Sequence, residues 1–139
     1  MAQADPRAVL EAAESVAVVG CSTSPMKAAH RIPLMLQQMG YDVRPVHPTA
    51  TEILGVPAVP TLAELDIVPD LVVVFRPSAE AAGVTRQAIE AGAHAVWLQQ
   101  GIASTTAEQA AAEAGIDFVQ DRCSGVDAQR FGIDKRSAA

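Results

Sequence analysis

Only two cysteines, Cys21 and Cys123, occur in 139 residues. That is too few for a disulfide framework and suits a reducing compartment. Aromatic residues make up 4% of the chain, so its core has to come from Ala, Val, Leu and Ile, within a hydrophobic share of 50%. No apolar run approaches the roughly 18 residues of a membrane span. The opening "MAQADPRAVLEAAES" has no basic segment followed by an apolar one, so no signal peptide is expected. Ten Lys and Arg stand against sixteen Asp and Glu, a net charge of −6, which argues against the basic face needed for nonspecific nucleic-acid binding. These absences describe a cytoplasmic protein that meets a small molecule, without nucleic acid or membrane as partner. Its length predicts one domain over residues 1–139, with a core at about 13–131 and a frayed tail at 134–139.

What the sequence does contain is a repeating rhythm. Five β-branched apolar runs read as strands: "SVAVV" ending at Val19, "YDVRPV" at Val46, "DLVVVF" at Phe75, "AVWLQ" at Gln99 and "IDFVQ" at Gln120. The first and third are continuous rather than alternating, as expected of strands covered on both faces. Helical stripes separate them, with Ile32, Met35, Leu36 and Met39 on one and Ala81, Val84, Ala88 and Ala91 on another. Ser78 is the expected N-cap of the second stripe, and Thr105 with Glu108 has capping-box spacing for a helix at 106–114. Gly40, Gly92 and Gly115 follow helical stripes as stop signals. The connection 47–65 is turn-rich, with room for one short helix near 61–65. Residues 5–14 read as an opening helix and "GVDAQRFGID" as a last helical turn or two. Alternating strands and helices predict an α/β, Rossmann-like three-layer sandwich around a five-stranded parallel sheet of order 3-2-1-4-5. Its ligand crevice is expected beyond the carboxyl ends of the strands, near the switch between the first and fourth.

The loops at those ends carry the chemistry. Gly20-Cys21-Ser22 leaves the first strand: Gly20 permits a sharp turn close to a ligand, and Ser22 offers a hydroxyl and backbone N–H. The following helix directs its positive end to the same place, which favours an anion, and Lys27 lies on the loop. Lys27, Arg31, Arg44 and Arg76 are the candidates for a basic pocket on an acidic protein. NAD is disfavoured, because the glycine fingerprint is missing and the second strand ends in Pro45-Val46-His47-Pro48, without an acid for the ribose. A P-loop lysine is missing as well. His47 can donate to a phosphate or ribose or act as an acid–base group, with binding the favoured role. His30 and His94 read as structural or surface residues, and no His, Cys or acidic pair has metal-ligand spacing. Cys21, near a helix N-terminus, is either a mildly reactive thiol or a small buried residue under the loop, and Cys123 reads the same way. Arg76 has a fork suited to phosphate. Gln99 offers both donor and acceptor, Gly101 allows close backbone approach, and Trp97 belongs in the core.

Taken together, Gly20-x-Ser22, "GYDVRPVHP", "ILG" at 53–55, "VFRP" at 74–77, "WLQQGI" at 97–102 and "DRC" at 121–123 closely resemble the stand-alone CoA-binding domain family. That family is similar to the CoA-binding domain of the succinyl-CoA ligase α-subunit. The resemblance covers roughly residues 13–131 and implies coenzyme A as the ligand. It implies that Gly20, Cys21, Ser22 and Lys27 meet the phosphates or the adenosine end. His47, Pro48, Phe75, Arg76 and Pro77 would line the nucleotide crevice, with Gln99 and Gly101 closing it. This chain departs from the family at His47, where the pattern reads P-V-N-P, and at Ala29-His30, where it reads Ser-Tyr. The expected function is binding of CoA or an acyl-CoA without catalysis. The alternatives are a thiol or acyl-transfer enzyme using Cys21 with His47 as base, a NAD or other nucleotide module, and an interaction module with a vestigial crevice. The alanine-rich face at 105–114 permits close packing, within the chain or in a homodimer, and an unidentified protein partner stays open.

Overall fold

Two runs with no polar side, Val16–Val19 and Leu71–Val74, dictate the architecture, because each has to be covered on both faces and flanked on both edges. The computed structural model describes residues 3–136. Its elements are α1 (Pro6–Ala12), β1 (Ser15–Val19), α2 (Ala28–Gln38), β2 (Asp42–Val46), a hairpin of β3 (Glu52–Ile53) and β4 (Val56–Pro57), a 3-10 turn at Leu62–Glu64, β5 (Leu71–Val74), α3 (Ser78–Glu90), β6 (Ala95–Leu98), α4 (Thr105–Ala114), β7 (Asp117–Val119) and α5 (Ser124–Arg130). The expected fraying at 134–139 falls partly at 137–139, outside the described residues.

All five long strands run parallel, in a three-layer α/β sandwich. Alternate residues divide the core. Val16, Val18, Val43, Leu71, Val73, Trp97 and Val119 face α1, α2 and α5. Ala17, Val19, Val72, Val74, Val96 and Leu98 face Ala81, Val84 and Ala88 of α3 and Ala107 and Ala111 of α4. Small side chains there allow the two helices to lie close to the sheet and to each other. Trp97 is fully buried, as expected, and its indole N–H reaches the Arg122 carbonyl at 2.8 Å. No described helix is long and apolar enough to cross a membrane.

The strand order corrects the sequence expectation. The sheet runs β2-β1-β5-β6-β7, so the third long strand pairs with the first and not with the second. The reason is legible in the residues. β2 carries Pro45, which has no N–H for a ladder, and the charged Asp42 and Arg44, all tolerable at an edge and costly inside. On its outer side β2 has no full strand ladder among the described residues, and it is bridged to Val59 at Val46. The uniformly apolar β5 takes the interior place instead. The topological switch therefore lies between β1 and β5, one strand away from where it was expected.

Two caps are also shifted. Ser104, not Thr105, opens α4, its Oγ accepting from Ala107 N at 3.0 Å. Pro77 is the N-cap of α3, and Ser78 Oγ instead accepts from Ala103 N at 3.1 Å, tying α3 to the β6–α4 loop.

At the amino ends of the strands, Asp70 fastens three of them. Its Oδ2 accepts from the backbone N–H of Glu14 and Ser15 at 2.9 and 3.1 Å, and its own N–H donates to Ser15 Oγ at 2.9 Å. Its carbonyl accepts from His94 and Ala95, both at 3.1 Å. Burial pushes the carboxyl up, but the amides of Glu14 and Ser15, with His94 nearby, outweigh it and hold the group below its ordinary 3.8. A depressed carboxylate adds stability above the unfolded value and loses it as pH falls through the folded value. Asp70→Ala is therefore expected to cost about 1–3 kcal/mol near neutral pH. Urea titrations of both proteins from pH 7 down to pH 3 should show that difference holding to about pH 4 and shrinking only below it.

Candidate functional site

The end of β1 is threaded between two neighbours. Gly20 N–H donates to Val46 O of β2 at 3.2 Å, and Phe75 N–H donates to Val19 O at 2.9 Å. Gly20 has φ +86°, and a Cβ there would stand 3.0 Å from Phe75 O and 3.1 Å from Arg76 Cδ. Only glycine fits both the left-handed backbone and that space. The first loop thus departs from the switch between β1 and β5, with the β2 turn on one side and Arg76 on the other.

A proline shapes the loop. Pro33 lies inside α2 and lacks the N–H that would bond to the carbonyl four residues back, that of Ala29. Ala29 O is consequently free to accept from Ser22 N–H, at 3.0 Å. The helix start holds the loop at further points: the His30 Nδ1–H donates to Ser22 O at 2.7 Å, and Arg31 donates to the Met26 carbonyl. Ser22 Oγ accepts from Ser24 N–H at 3.0 Å. Ser22 therefore keeps its hydroxyl proton to offer, but not its backbone N–H as the sequence had suggested. Lys27 occupies the N-cap position of α2, exposed and without a capping bond from its side chain. The N–H groups of Ala28 and Ala29 that follow lie in the first turn, where a helix supplies no acceptor.

At the end of β2, His47 N–H donates to Val59 O at 2.9 Å. Its Nδ1 accepts from the N–H of Thr49 at 3.1 Å and of Ala50 at 2.9 Å. Pro48 is exposed on that turn, Phe75 is half-buried against the core, and Pro77 caps α3 from outside. Arg76 pairs with Glu80 one turn along α3, at 3.0 Å, both side chains about half exposed. So eight predicted residues, Gly20, Ser22, Lys27, His47, Pro48, Phe75, Arg76 and Pro77, gather on three adjacent strand ends.

Other predicted residues serve different ends. Cys21 is 1% exposed in the core, and burial pushes its thiol up to about 11 although the Ser22 N–H pulls the other way. That disfavours the thiolate on which a Cys21–His47 reaction would depend. Arg44 pairs with Asp42 at 2.9 Å and Asp66 at 2.8 Å on the outer edge of the sheet, apart from the candidate pocket. Gln99 is 4% exposed and its Oε1 accepts from Ser124 N–H at 2.9 Å and from Ser124 Oγ–H at 2.5 Å, so its acceptor fixes the start of α5. Gly101, with φ +87°, is exposed, and its N–H donates to Asp121 Oδ1 at 2.7 Å. Sequence reasoning passed over Pro33 and gave Asp121 no role beyond its place in the "DRC" motif. A proline placed five residues after the helix start was the available signal for the first; the second makes a contact between distant loops.

A cavity of about 680 Å³ opens elsewhere, between the 61–68 segment and the end of α3, with Asp66 and Glu90 on its wall. Acids at its rim suit no phosphate. Among the described residues no cluster of three His, Cys, Asp or Glu could hold a metal.

A sequence profile described as CoA binding domain matches residues 14–129. The chain is 37% identical over 121 residues to the uncharacterized protein YneT of Bacillus subtilis (strain 168), covering 87% of this chain and 90% of that one. Among solved structures it is similar to a Thermus thermophilus protein, with TM-score 0.85, 37% identity, and 90% and 95% of the two chains covered. A hypothetical protein of Pyrococcus horikoshii OT3 superposes with TM-score 0.87 at 31% identity, over 91% and 89% of the chains.

The loop geometry and the buried thiol can both be tested. In Pro33→Ala the new N–H competes for Ala29 O, so protection of the Ser22 amide from hydrogen exchange should fall about fivefold, the worth of one hydrogen bond of about 1 kcal/mol. Iodoacetamide at pH 7 should modify the half-buried Cys123 well before Cys21 in the folded protein, as peptide mass mapping would reveal.

Proposed function

Because the chain belongs to the CoA binding domain family, we propose that it binds coenzyme A, or an acyl-CoA, over the carboxyl ends of β1, β2 and β5, as a binding protein without catalysis of its own. The observation that carries this reading is the close approach of Gly20 to Phe75 and Arg76, 3.0 Å for a Cβ built on the glycine. It sets the Arg76 side chain against the residue where the first loop begins, and on this reading one anionic group meets both the first turn of α2 and the guanidinium. The pyrophosphate rests at that turn, on the free amides of Ala28 and Ala29, with Lys27 and the Ser22 hydroxyl beside it.

Arg76 reaches the ligand by exchanging Glu80 for a phosphate. The exposed pair it gives up is worth no more than about 1 kcal/mol, so the exchange costs little against a phosphate bound bidentately. His47 and Pro48 border the adenosine, Phe75 and Pro77 provide apolar contact, and the Gly101 backbone leaves room at the far side. NAD fits this arrangement less well, since the end of β2 presents imidazole where a ribose diol would meet a carboxylate. The thiol-enzyme alternative loses ground for a different reason: Cys21 holds its proton to about pH 11 beneath the loop.

Calorimetric or thermal unfolding with added nucleotides is the direct test. At a free concentration 100 times its Kd, CoA should stabilise the fold by about 2.7 kcal/mol, and NAD at equal concentration should add nothing. Arg76→Ala should weaken CoA by roughly tenfold or more, the loss expected for a hydrogen-bonded charge pair. Stabilisation by NAD or ATP in place of CoA would overturn the reading.

A further inference from the structure

His47, half-buried, commits one ring nitrogen to its own turn, and no hydrogen bond from the other is made among the described residues. Nδ1 accepts two backbone N–H groups, from Thr49 at 3.1 Å and Ala50 at 2.9 Å. This is an imidazole version of the turn that Asn and Asp side chains make with the backbone just after them. A ring nitrogen accepting two hydrogen bonds carries no proton, so the proton sits on Nε2 at the opposite edge, as a donor held in one tautomer. The ring's position is fixed from behind as well: His47 N–H is bonded to Val59 O at 2.9 Å, and Val46 O to Gly20 N–H at 3.2 Å.

That bond to Gly20 ties the end of β2 to the first loop. In sheets of this kind, when the first loop holds the pyrophosphate, the neighbouring second strand ends where the ribose lies. A carboxylate there accepts from free ribose hydroxyls. This turn, "HPTAT" over 47–51, has donors and no carboxylate, and the first acid after it is Glu52, exposed on β3. A donor with no accompanying negative charge suits a ribose that bears a phosphate. Resting on the CoA site proposed above, the geometry points to His47 Nε2–H as the group that reads the ribose 3′-phosphate, making His47 the residue that discriminates CoA from dephospho-CoA.

The turn itself makes a clean test available. His47→Asp and His47→Asn both keep an oxygen able to accept the Thr49 and Ala50 amides, and exchange protection of those two amides reports whether the turn survives. Asp adds a negative charge facing the phosphate, whereas Asn offers a shorter donor. Calorimetric titration of each protein with CoA and with dephospho-CoA, at fixed ionic strength, gives the ratio of affinities. The wild type should prefer CoA by about tenfold or more, as for a hydrogen bond to a charged group. His47→Asp should lose that preference, its CoA affinity falling about tenfold or more relative to its dephospho-CoA affinity, and His47→Asn should fall between. An equal loss of both ligands, or an unchanged ratio in both variants, would overturn the assignment and leave the CoA site standing. A wild-type protein that binds neither nucleotide would overturn the site and this assignment with it.

Discussion

β1 and β5 have no face that water could touch, and that single constraint organises the molecule. Each fully buried valine contributes about 1.5–3 kcal/mol relative to an exposed one, so exposing even part of either strand would take a large share of a small domain's typical margin. The two strands become neighbours at the centre, and β2, with Pro45 and its charges, is left to the edge. Because β2 and β5 then lie on opposite sides of β1, the connections diverge at the end of β1. The crevice expected of such sheets would open at that divergence. Asp70 fastens the amino ends, opposite the cleft.

Within the cleft, the first loop is held before any ligand arrives. A helix that gives up one internal hydrogen bond at Pro33 gains a carbonyl that can be used elsewhere, and Ala29 uses it on Ser22. His30 and Arg31, from the same turn, bind two further loop carbonyls. Ordering a loop on binding costs free energy that a loop already ordered does not, so this arrangement favours affinity without adding a contact. The same economy limits the site: the Ser22 N–H is spent internally, and the proposed reading gives the anion to the helix's own first amides.

How much of this could be read in the chain depends on the range of the interaction. Strands, helices and faces follow from local periodicity, and the positive-φ stops at Gly40, Gly92 and Gly115 were visible for the same reason. The motif string for the CoA-binding domain was legible because it is a sequence pattern. The strand order was misread even though Pro45 and the apolar evenness of "LVVV" were in plain view; they needed to be weighed as edge and centre signals rather than simply as strand signals. Arg44 and Gln99 were harder. Nothing near Arg44 in sequence points to Asp66, and Ser124, which occupies Gln99, lies 25 residues away. Such pairings are set by the sheet's order, which is the very thing that local patterns fix least.

The departure from the family pattern at His47 has a physical resolution that bears on what kind of site this is. An asparagine there would cap the turn with its oxygen, and the histidine caps the same two amides with Nδ1. The substitution preserves local structure while changing the outward-facing donor in reach and direction. A general base needs its lone pair free for the substrate's proton. His47 has used that lone pair on Thr49 and Ala50, His30 is engaged at Ser22 O, and Cys21 keeps its proton under the loop. At the strand ends stand donors and cations, Ser22, Lys27, His47 and Arg76 with its partner Glu80, around a glycine that lets Phe75 and Arg76 pack close. On the proposed reading, such a set is suited to a polyanion.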